Sequence, residues 1–296
     1  MNICFIDTVQ ESQFDVSTKD LVDKHDFLFA KDIPANCDII IGGMPSKEQL
    51  LSANKLKALI IPYSGLLSQT RANILETCPD LPVYNIKHNA TAVAEMALTL
   101  LLSAKRNLLA VDQDLRTGNW SARFKIPTNG LVADSKITIL GYGAVGKKLA
   151  SILSVMGAEV HVVRNSIDTI AQEDGLPIYP PQELRKTISG ADALIICCPL
   201  TEQTRGMIQT EHIHAMNSSS CLVYVARSEI VDEAALYSAL QTGHLAHVGL
   251  DVWPNFPMSK EQIASTMPSA LPFHELPQVI MSPHRAGMFA GNHILR

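Results

Sequence analysis

The stretch from residue 136 to residue 163 restricts the fold of this 296-residue chain more than any other part of it. Lys136–Leu140 is a mainly apolar, strand-like run, and Gly141-Tyr142-Gly143-Ala144-Val145-Gly146 follows it directly. Lys147–Met156 is typical of a helix, and Glu159–Val163 of a second strand. A strand, a G-x-G-x-x-G turn, a helix and another strand in this order characterise a dinucleotide-binding βαβ unit. The sequence therefore predicts a Rossmann-type fold around this unit.

The three glycines of this turn have separate physical roles. Gly141 permits the tight turn, Gly143 lets a pyrophosphate approach the backbone, and Gly146 lets the helix pack closely on the strand. The helix N-terminus, which contains Ala144 and Val145, offers free N–H groups and a partial positive charge to phosphates. We therefore assign these five residues to a cofactor site; an ordinary glycine-rich turn is the alternative.

The end of the second strand indicates which dinucleotide is preferred. An NAD site usually places Asp or Glu there, about 20 residues past the glycines, to bind the adenosine ribose. This chain has Arg164-Asn165-Ser166, with Arg164 lying 18 residues after Gly146. A guanidinium pairs well with a 2′-phosphate, and Asn165 and Ser166 can donate hydrogen bonds to it. The sequence favours NADP, with NAD as a second option; a surface arginine without a ligand is the alternative.

Composition narrows the partners of the chain. The net charge is −5 without a long run of either sign, so nucleic acid is not an expected partner. The start lacks the basic region of a signal peptide, and Ala92–Ala104, the longest helical apolar stretch, is too short to span a bilayer. Six cysteines without a C-x-x-C pattern predict reduced, mostly buried thiols and no metal site. We expect a cytoplasmic protein that does not bind membranes.

Strand-like and helical segments alternate along the chain, which indicates an α/β fold with doubly wound parallel sheets. A long helix is predicted over Ala90–Thr117, and its early one-sided apolar residues fit a dimer interface and an intramolecular core almost equally. Shorter helices are predicted at Pro181–Ile188, Thr210–Ala215 and Asp232–Thr242. The remaining predicted strands are Asn2–Ile6, Asp38–Ile41, Ala58–Ile61, Pro82–Asn85, Ala193–Cys197, Cys221–Val225, His247–Leu250 and Val279–Met281.

Several motifs in a fixed order resemble those of the D-isomer-specific 2-hydroxyacid dehydrogenases, a family that includes glyoxylate/hydroxypyruvate reductases and phosphoglycerate dehydrogenases. The resemblance extends from about residue 58 onward. The segments that carry it are Asn89–Glu95, Arg116–Trp120, Ala191–Thr201 with Thr204, Val225–Glu233, Gly249–Val252 and Ser282–His284. It implies a nicotinamide-dependent oxidoreductase that reduces a 2-oxo acid to a D-2-hydroxy acid, with glyoxylate and hydroxypyruvate as default substrates.

The resemblance also implies two Rossmann-like domains. A discontinuous, flavodoxin-like substrate domain takes residues 1–89 and 284–296, and the dinucleotide-binding domain takes residues 90–283. The active site is expected in the cleft between them. Only 12 residues follow His284, so the family's C-terminal helix is expected to be minimal or truncated. A homodimer is expected, as in the family.

Roles for individual residues follow from the same resemblance. Arg227 would clamp the substrate carboxylate or polarise the 2-oxo group, with a structural ion pair as the alternative. His284 would be the general acid and base and would lie beside the cofactor. Asp251 would face the nicotinamide, or cap a helix instead. Tyr63-Ser64-Gly65 would offer N–H groups to the substrate carboxylate, or form a strand-ending turn. The other cofactor-binding candidates are Cys198, Pro199, Thr204, Ala226 and Ala286.

The chain departs from the family beside the catalytic histidine. Family dehydrogenases place a Glu five residues after the equivalent of Asp251, and this chain has Phe256 there. Without that carboxylate His284 should be less basic, unless Glu275 takes the role. Trp253 and Phe256, with Met288 and Phe289, could form an apolar pocket for a bulky 2-oxo acid, or pack a loop onto the core. Ser228 replaces the usual Gly after the arginine.

Two other functions compete with the reductase. Formate dehydrogenases of the same fold also lack the Glu and transfer a hydride from a small oxyanion without moving a proton, so the departure at Phe256 fits that chemistry. Non-catalytic members of the family bind the dinucleotide as sensors. The retained Arg227 and His284 argue against a lost activity.

Overall fold

The computed structural model describes residues 1–6, 23–30, 32–63, 65–125, 130–257 and 259–289. The chain forms two compact units, Met1–Asn89 with Met288–Arg296, and Ala90–Gly287. Residues 284–287, assigned from sequence to the first domain, therefore cluster with the second unit. No helix within the described ranges is both long and apolar enough to cross a membrane.

The first unit is built on a parallel sheet with the strand order β2-β1-β3-β4-β5. Its strands are β1 (Asn2–Phe5), β2 (Asp26–Phe29), β3 (Ile39–Ile41), β4 (Ala58–Ile61) and β5 (Val83–Asn85), and its helices are α1 (Lys47–Ser52) and α2 (Ser68–Thr77). This is the flavodoxin-like order of a doubly wound fold. The edge strand β2 was not predicted, because its alternating exposure gives no buried apolar run.

The second unit contains a larger sheet with the order β13-β12-β11-β10-β6-β7-β9-β8. Its strands are β6 (Lys136–Leu140), β7 (Glu159–Val163), β8 (Ala171–Glu173), β9 (Leu176–Tyr179), β10 (Ala193–Ile196), β11 (Cys221–Tyr224), β12 (His247–Leu250) and β13 (Val279–Met281). All neighbours pair in parallel except β8 and β9, which form an antiparallel hairpin. From β9 to β12 the order is that of the Rossmann fold, so the predicted α/β class is confirmed.

Helices cover both faces of this sheet. The helices described in the second unit are α3 (Ala90–Lys105), α4 (Leu108–Arg116), α5 (Ala122–Lys125), α6 (Ala144–Val155), α7 (Leu184–Ile188), α8 (Thr210–Ala215) and α9 (Glu233–Gln241). In β10, Leu194 and Ile196 join one buried cluster, while Ala193 and Ile195 join another. Successive side chains of a strand point to opposite faces, so the unit has two cores. Strands buried on both faces explain the continuous apolar runs in the sequence.

The long helix predicted over Ala90–Thr117 is wrong in one respect, because it is broken into α3 and α4. Asn107 adopts a left-handed conformation, with φ of 51°, and asparagine tolerates this better than most residues. The apolar side of α3, including Ala97 and Leu101, is fully buried in the core of the second unit. The intramolecular alternative therefore holds for α3, whereas α4 has no buried residue.

The hairpin of β8 and β9 was not predicted. Its two-residue turn is Asp174-Gly175, with φ of 53° and 77°. Positive φ at both central residues is the hairpin turn that Asp-Gly favours. The signal was present in the sequence, but β8 is short and polar and β9 contains Pro177, which disfavours a strand. The hairpin lies at the edge of the sheet, next to β7.

Candidate active site

The glycine-rich turn after β6 is a tightly packed backbone structure. Gly141 has a φ of +110°, and a Cβ atom on it would lie 2.7 Å from the backbone of Cys198. A Cβ on Gly146 would lie 2.0 Å from the carbonyl oxygen of Gly141. The turn and the first turn of α6 therefore approach too closely for any side chain. Both glycines act as the sequence predicted, one for the turn and one for close packing.

Gly143 lies in different surroundings. It is the exposed N-cap of α6, and a Cβ atom there would meet no atom of the described residues within 4 Å. The N–H groups at a helix start have no intrahelical acceptors, and here Ala144 and Val145 belong to that first turn. Open space above bare N–H groups suits an anionic group held against the backbone. The residues present thus fit a dinucleotide pyrophosphate.

The end of β7 carries a paired arginine. The Arg164 guanidinium is half-buried, and its Nη1 atom lies 2.5 Å from a carboxylate oxygen of Glu173. Its Nε atom is buried without a hydrogen-bond partner among the described residues. Asn165 and Ser166, which follow it, are exposed. Arg164 is therefore not the unpaired surface arginine that the sequence left as an alternative. Its ion pair with Glu173 was not predicted.

The loop after β10 closes on itself. The Thr204 hydroxyl donates to the Pro199 carbonyl at 2.7 Å and accepts from the Thr201 N–H at 2.7 Å. Thr204 and Cys198 are buried, while Pro199 is exposed. Since the Cys198 backbone rests against Gly141, this loop forms one wall of the glycine turn.

Arg227 follows β11 on a short bend. Its Nη1 atom donates to the Ala226 carbonyl at 2.7 Å, and the bend is closed by the Ile230 N–H donating to the Tyr224 hydroxyl at 3.1 Å. Ala226 is buried and Arg227 is half-buried. In the described part of the chain no carboxylate forms an ion pair with Arg227, so the structural ion pair is not found there. Its guanidinium keeps most of its donors for another anion.

Asp251, at the end of β12, organises the loop that carries His284. Its carboxylate is 1% exposed. It accepts hydrogen bonds from the Ser282 hydroxyl, from the Arg285 N–H at 3.0 Å and from the Ala286 N–H at 2.8 Å. His284 itself has a φ of 54°. The described hydrogen bonds of the Asp251 side chain all go to this loop and not to a helix N-terminus, so one buried carboxylate holds the turn that presents the histidine.

Two charged groups act on His284. The pKa of His284 is lowered, first by desolvation and then by the positive charge of Arg227, while Asp251 opposes the shift. The Phe256 ring contacts the imidazole edge-on, with 5.7 Å between the ring centroids. The lower basicity agrees with the expectation from Phe256. Glu275 does not take the missing role, because its exposed carboxylate lies 3.8 Å from His274.

The apolar residues near this loop fall in different places. Trp253 donates its Nε1–H to the Ser282 carbonyl at 2.9 Å and packs against Phe273, so it fastens a loop to the core. Phe289 contacts His88 within the first unit, and Met288 is exposed. A cavity of about 450 Å³ beside Trp253 is lined mainly by apolar residues such as Leu236, but neither Arg227 nor His284 lines it.

The predicted substrate residues lie in the first unit. Tyr63 follows β4 and is half-buried, and a Cβ atom on Gly43 would lie 1.4 Å from its hydroxyl oxygen. Glycine at position 43 therefore makes room for the tyrosine. Gly65 is also half-buried, and Ser64 lies outside the described residues.

The structure brings the second-unit candidates to one edge of one sheet. Gly141, Cys198, Arg227, Asp251 and His284 follow the carboxyl ends of β6, β10, β11, β12 and β13 within one to three residues. In parallel sheets that edge is where ligands bind. Among the residues described, no group of three or more His, Cys, Asp or Glu is placed to hold a metal ion.

Comparisons with known proteins agree with this arrangement. Residues 98–286 match the family model described as D-isomer specific 2-hydroxyacid dehydrogenase, NAD binding domain. The chain is 34% identical over 203 residues to dehydrogenase efuE of Hormonema carpetanum, covering 67% of this chain and 47% of the relative. It is 32% identical over 199 residues to a glyoxylate reductase of Thermococcus onnurineus, covering 65% and 56%. The chain thus spans about half the length of these curated relatives.

A solved structure shows the same fold. It is a D-isomer specific 2-hydroxyacid dehydrogenase from Xanthobacter autotrophicus Py2, in complex with NADPH and MES. The TM-score is 0.81 at 22% identity, and the match covers 99% of this chain and 91% of the other. At this identity the likeness establishes the two-domain Rossmann architecture alone.

Proposed function

Because the chain belongs to the D-isomer specific 2-hydroxyacid dehydrogenase family, we propose that it reduces a 2-oxo acid to a D-2-hydroxy acid with a nicotinamide cofactor. The observation that carries the proposal is the sheet edge described above. At this edge lie Arg227, which has no carboxylate partner among the described residues, His284, whose pKa is lowered in part by the Arg227 charge, and a glycine turn that fits a dinucleotide. These are an anion clamp, a proton donor and a cofactor cradle, the parts that such a reduction needs.

The protein groups have separate tasks in this reaction. The bound nicotinamide supplies the hydride to the carbonyl carbon. The Arg227 guanidinium binds the substrate carboxylate and stabilises the negative charge that develops on the carbonyl oxygen. The protonated His284 imidazole gives its proton to that oxygen. Asp251 keeps the histidine turn in place through its hydrogen bonds to Ser282, Arg285 and Ala286.

The lowered pKa of His284 gives the reaction a particular pH dependence. A lowered His284 pKa means that less of the histidine is protonated at neutral pH. Reduction needs the protonated form, so its rate falls as the pH rises through this lowered pKa. Oxidation of the hydroxy acid needs the neutral form and is favoured above it.

For the cofactor we propose NADP(H), with NAD(H) as the second option. The support is Arg164 at the end of β7, whose Nε atom is a buried donor without a described partner. The first unit is proposed to bind the substrate carboxylate through the segment of Tyr63 and Gly65. Glyoxylate and hydroxypyruvate are the first substrates to test.

We also propose a homodimer in a reducing, cytoplasmic location. The helix α4 exposes Leu108, Leu109 and Leu115, and Trp120 and Phe124 after it are exposed as well. An exposed apolar patch of this kind commonly marks a protein interface. All six cysteines are free thiols, as expected in a reducing compartment.

Hydride transfer from a small oxyanion such as formate is the second candidate. Phe256 favours it, because such a substrate needs no proton from a basic histidine. A rate that does not depend on the ionisation of His284 would distinguish it from the reductase.

The test is the absorbance of the reduced nicotinamide with the purified protein, NADPH or NADH, and 2-oxo acids from glyoxylate to phenylpyruvate. We expect turnover that is lost in Arg227→Ala and in His284→Ala. The exposed His274 serves as the control position, and His274→Ala should retain the rate. Cofactor binding without oxidation by any acid would overturn the reductase in favour of the oxyanion dehydrogenase or a binding protein.

A further inference from the structure

The hairpin of β8 and β9 carries two carboxylates to the adenosine end of the proposed cofactor site. Glu173 contacts Arg164 through one carboxylate oxygen and Lys147 through the other, with 2.8 Å from the Lys147 Nζ atom to Oε1. Asp174 accepts from the Tyr142 hydroxyl at 2.9 Å and lies 3.5 Å from the Lys147 Nζ atom. We call these five residues the hairpin cluster.

The members of the hairpin cluster come from the elements that define the dinucleotide fingerprint. Tyr142 is the second residue of the glycine-rich turn, and Lys147 lies in α6 just beyond it. Arg164 directly follows β7, where the sequence predicts contact with the adenosine ribose or its 2′-phosphate. The hairpin therefore brings an acid to the position that decides between the two dinucleotides.

The charges of the hairpin cluster cancel. Lys147 and Arg164 are positive, and Glu173 and Asp174 are negative. The pKa of Glu173 is lowered, first by its hydrogen bond with Lys147 and then by the one with Arg164, so it is ionised at neutral pH. A 2′-phosphate that reached Arg164 with Glu173 in place would meet a carboxylate of its own sign. With Glu173 displaced it would meet two cations.

We propose that Glu173 is an internal competitor of the 2′-phosphate and sets the cofactor specificity of this chain. Its carboxylate occupies the guanidinium that a 2′-phosphate would bind, so a 2′-phosphorylated dinucleotide binds only when Glu173 leaves Arg164. The cost of that release lowers the preference for NADP(H) over NAD(H). The proposal rests on the proposed function, since it takes Arg164 as the ligand of the adenosine ribose end.

The Arg164 side chain has the capacity for this exchange. Its Nη1 atom is held by Glu173, while its Nε atom is buried without a described partner. A phosphate has three terminal oxygens and can pair with a guanidinium through two of its N–H groups at once. The exchange therefore replaces the one hydrogen bond between Arg164 and Glu173 with two hydrogen bonds to the phosphate. The second of these gives the buried Nε atom of Arg164 an acceptor.

The experiment measures the dissociation constants of NADPH and NADH by isothermal titration calorimetry. Glu173→Gln removes the charge and keeps the shape of the side chain. We expect the ratio of the NADH constant to the NADPH constant to rise about tenfold, the size expected when one competing charge-assisted pair is removed. Glu211→Gln makes the same charge change on an exposed acid outside the cluster and should leave the ratio as it is. Circular dichroism establishes that both variants are folded.

A double variant separates competition from a general change in charge. Arg164→Gln removes the guanidinium that is proposed to bind the 2′-phosphate. Adding Glu173→Gln to this variant should therefore give no further rise in the ratio of the dissociation constants. An unchanged ratio in Glu173→Gln would overturn the proposal, as would a weaker NADH interaction without a gain for NADPH, which would make Glu173 a ribose ligand. If the wild-type protein binds neither dinucleotide, the proposed function fails instead.

Discussion

Two ends of the same sheet edge are built by different means. The turn after β6 is made by the backbone, because Gly141 and Gly146 approach atoms that leave no space for a side chain. The turn after β13 is made by a side chain, because the Asp251 carboxylate collects three hydrogen bonds from Ser282, Arg285 and Ala286. The first turn packs Gly146 against Gly141, five residues away, and Gly141 against the backbone of Cys198. The second joins segments more than thirty residues apart.

The difference shows which parts of a site can be varied. A turn built by close backbone contacts tolerates no side chain at Gly141 or Gly146. A turn built on one buried carboxylate depends on that residue alone, while the residues around it, such as Phe256, are free to differ from the family.

The largest effect is expected where the backbone-built turn is filled. A Cβ atom in Gly146→Ala would lie 2.0 Å from the Gly141 carbonyl oxygen. Opening the turn costs about 3 kcal/mol, so the free energy of unfolding should fall by about that value. The affinity for NADPH should fall about a hundredfold. Calorimetry and urea unfolding measure the two quantities.

Gly143→Ala is the matched variant for this turn. Its Cβ meets no atom of the described part of the chain within 4 Å, so the free energy of unfolding should change by less than about 1 kcal/mol. It should still weaken NADPH binding, because the methyl group occupies the space proposed for the pyrophosphate. Unchanged NADPH binding in Gly143→Ala would contradict the placement of the phosphates.

The side-chain-built turn is broken by Asp251→Ala. Two backbone N–H groups and a hydroxyl lose their acceptor, which should lower the free energy of unfolding by about 3 kcal/mol and abolish turnover. Asp232→Ala is the control, because the Asp232 side chain, as the N-cap of α9, accepts one hydrogen bond among the described residues, from the Ala235 N–H at 3.0 Å. The free energy of unfolding of that variant, measured in urea, should fall by about 1 kcal/mol, and its activity should be retained. Equal losses in the two variants would mean that Asp251 is an ordinary cap.

Phe256→Glu tests the freedom of the surrounding residues. A carboxylate beside His284 opposes the desolvation and the Arg227 charge that lower its pKa. A shift of about one pH unit upward is expected, so reduction above the wild-type pKa should become up to about tenfold faster. The pH profile of kcat/KM measures it, with Phe256→Leu as the uncharged control. A profile in Phe256→Glu that coincides with that of Phe256→Leu would count against His284 as the proton donor.

The smallest effect is expected for Ser282→Ala. It removes the hydroxyl donor to Asp251 and leaves both backbone donors in place. The free energy of unfolding, measured in urea, should fall by about 1 kcal/mol, and turnover should be retained. A loss as large as that of Asp251→Ala would show that the hydroxyl, and not the backbone, holds the turn.

The sequence was most informative where the chain is buried on both faces. The strands β6, β7, β12 and β13 have the predicted bounds, because parallel strands in a covered sheet are continuous apolar runs. It was wrong at Asn107, where a single left-handed residue ends a helix whose apolar pattern continues. The sequence analysis also missed the hairpin of β8 and β9 at the sheet edge, because β8 is polar and β9 contains a proline.

The candidate site shows the same division. The glycines follow from a local motif, and Arg227 and His284 from a family resemblance. The pairing of Glu173 with Arg164 and Lys147 depends on a hairpin that folds back over the glycine turn. Likewise the hydrogen bonds of Asp251 to residues 285 and 286 join two strand ends, and no local pattern contains that information.

The most direct test of hydride transfer follows the hydrogen itself. The protein would be incubated with a 2-oxo acid that it turns over, or with glyoxylate and hydroxypyruvate first, and with NADPH carrying deuterium at the transferable position of C4. Mass spectrometry and chiral chromatography would then identify the product. The proposed function predicts a D-2-hydroxy acid with deuterium on its C2 carbon, and no such product from His284→Ala. An unlabelled acid, or no hydroxy acid while NADPH stays bound, would contradict it.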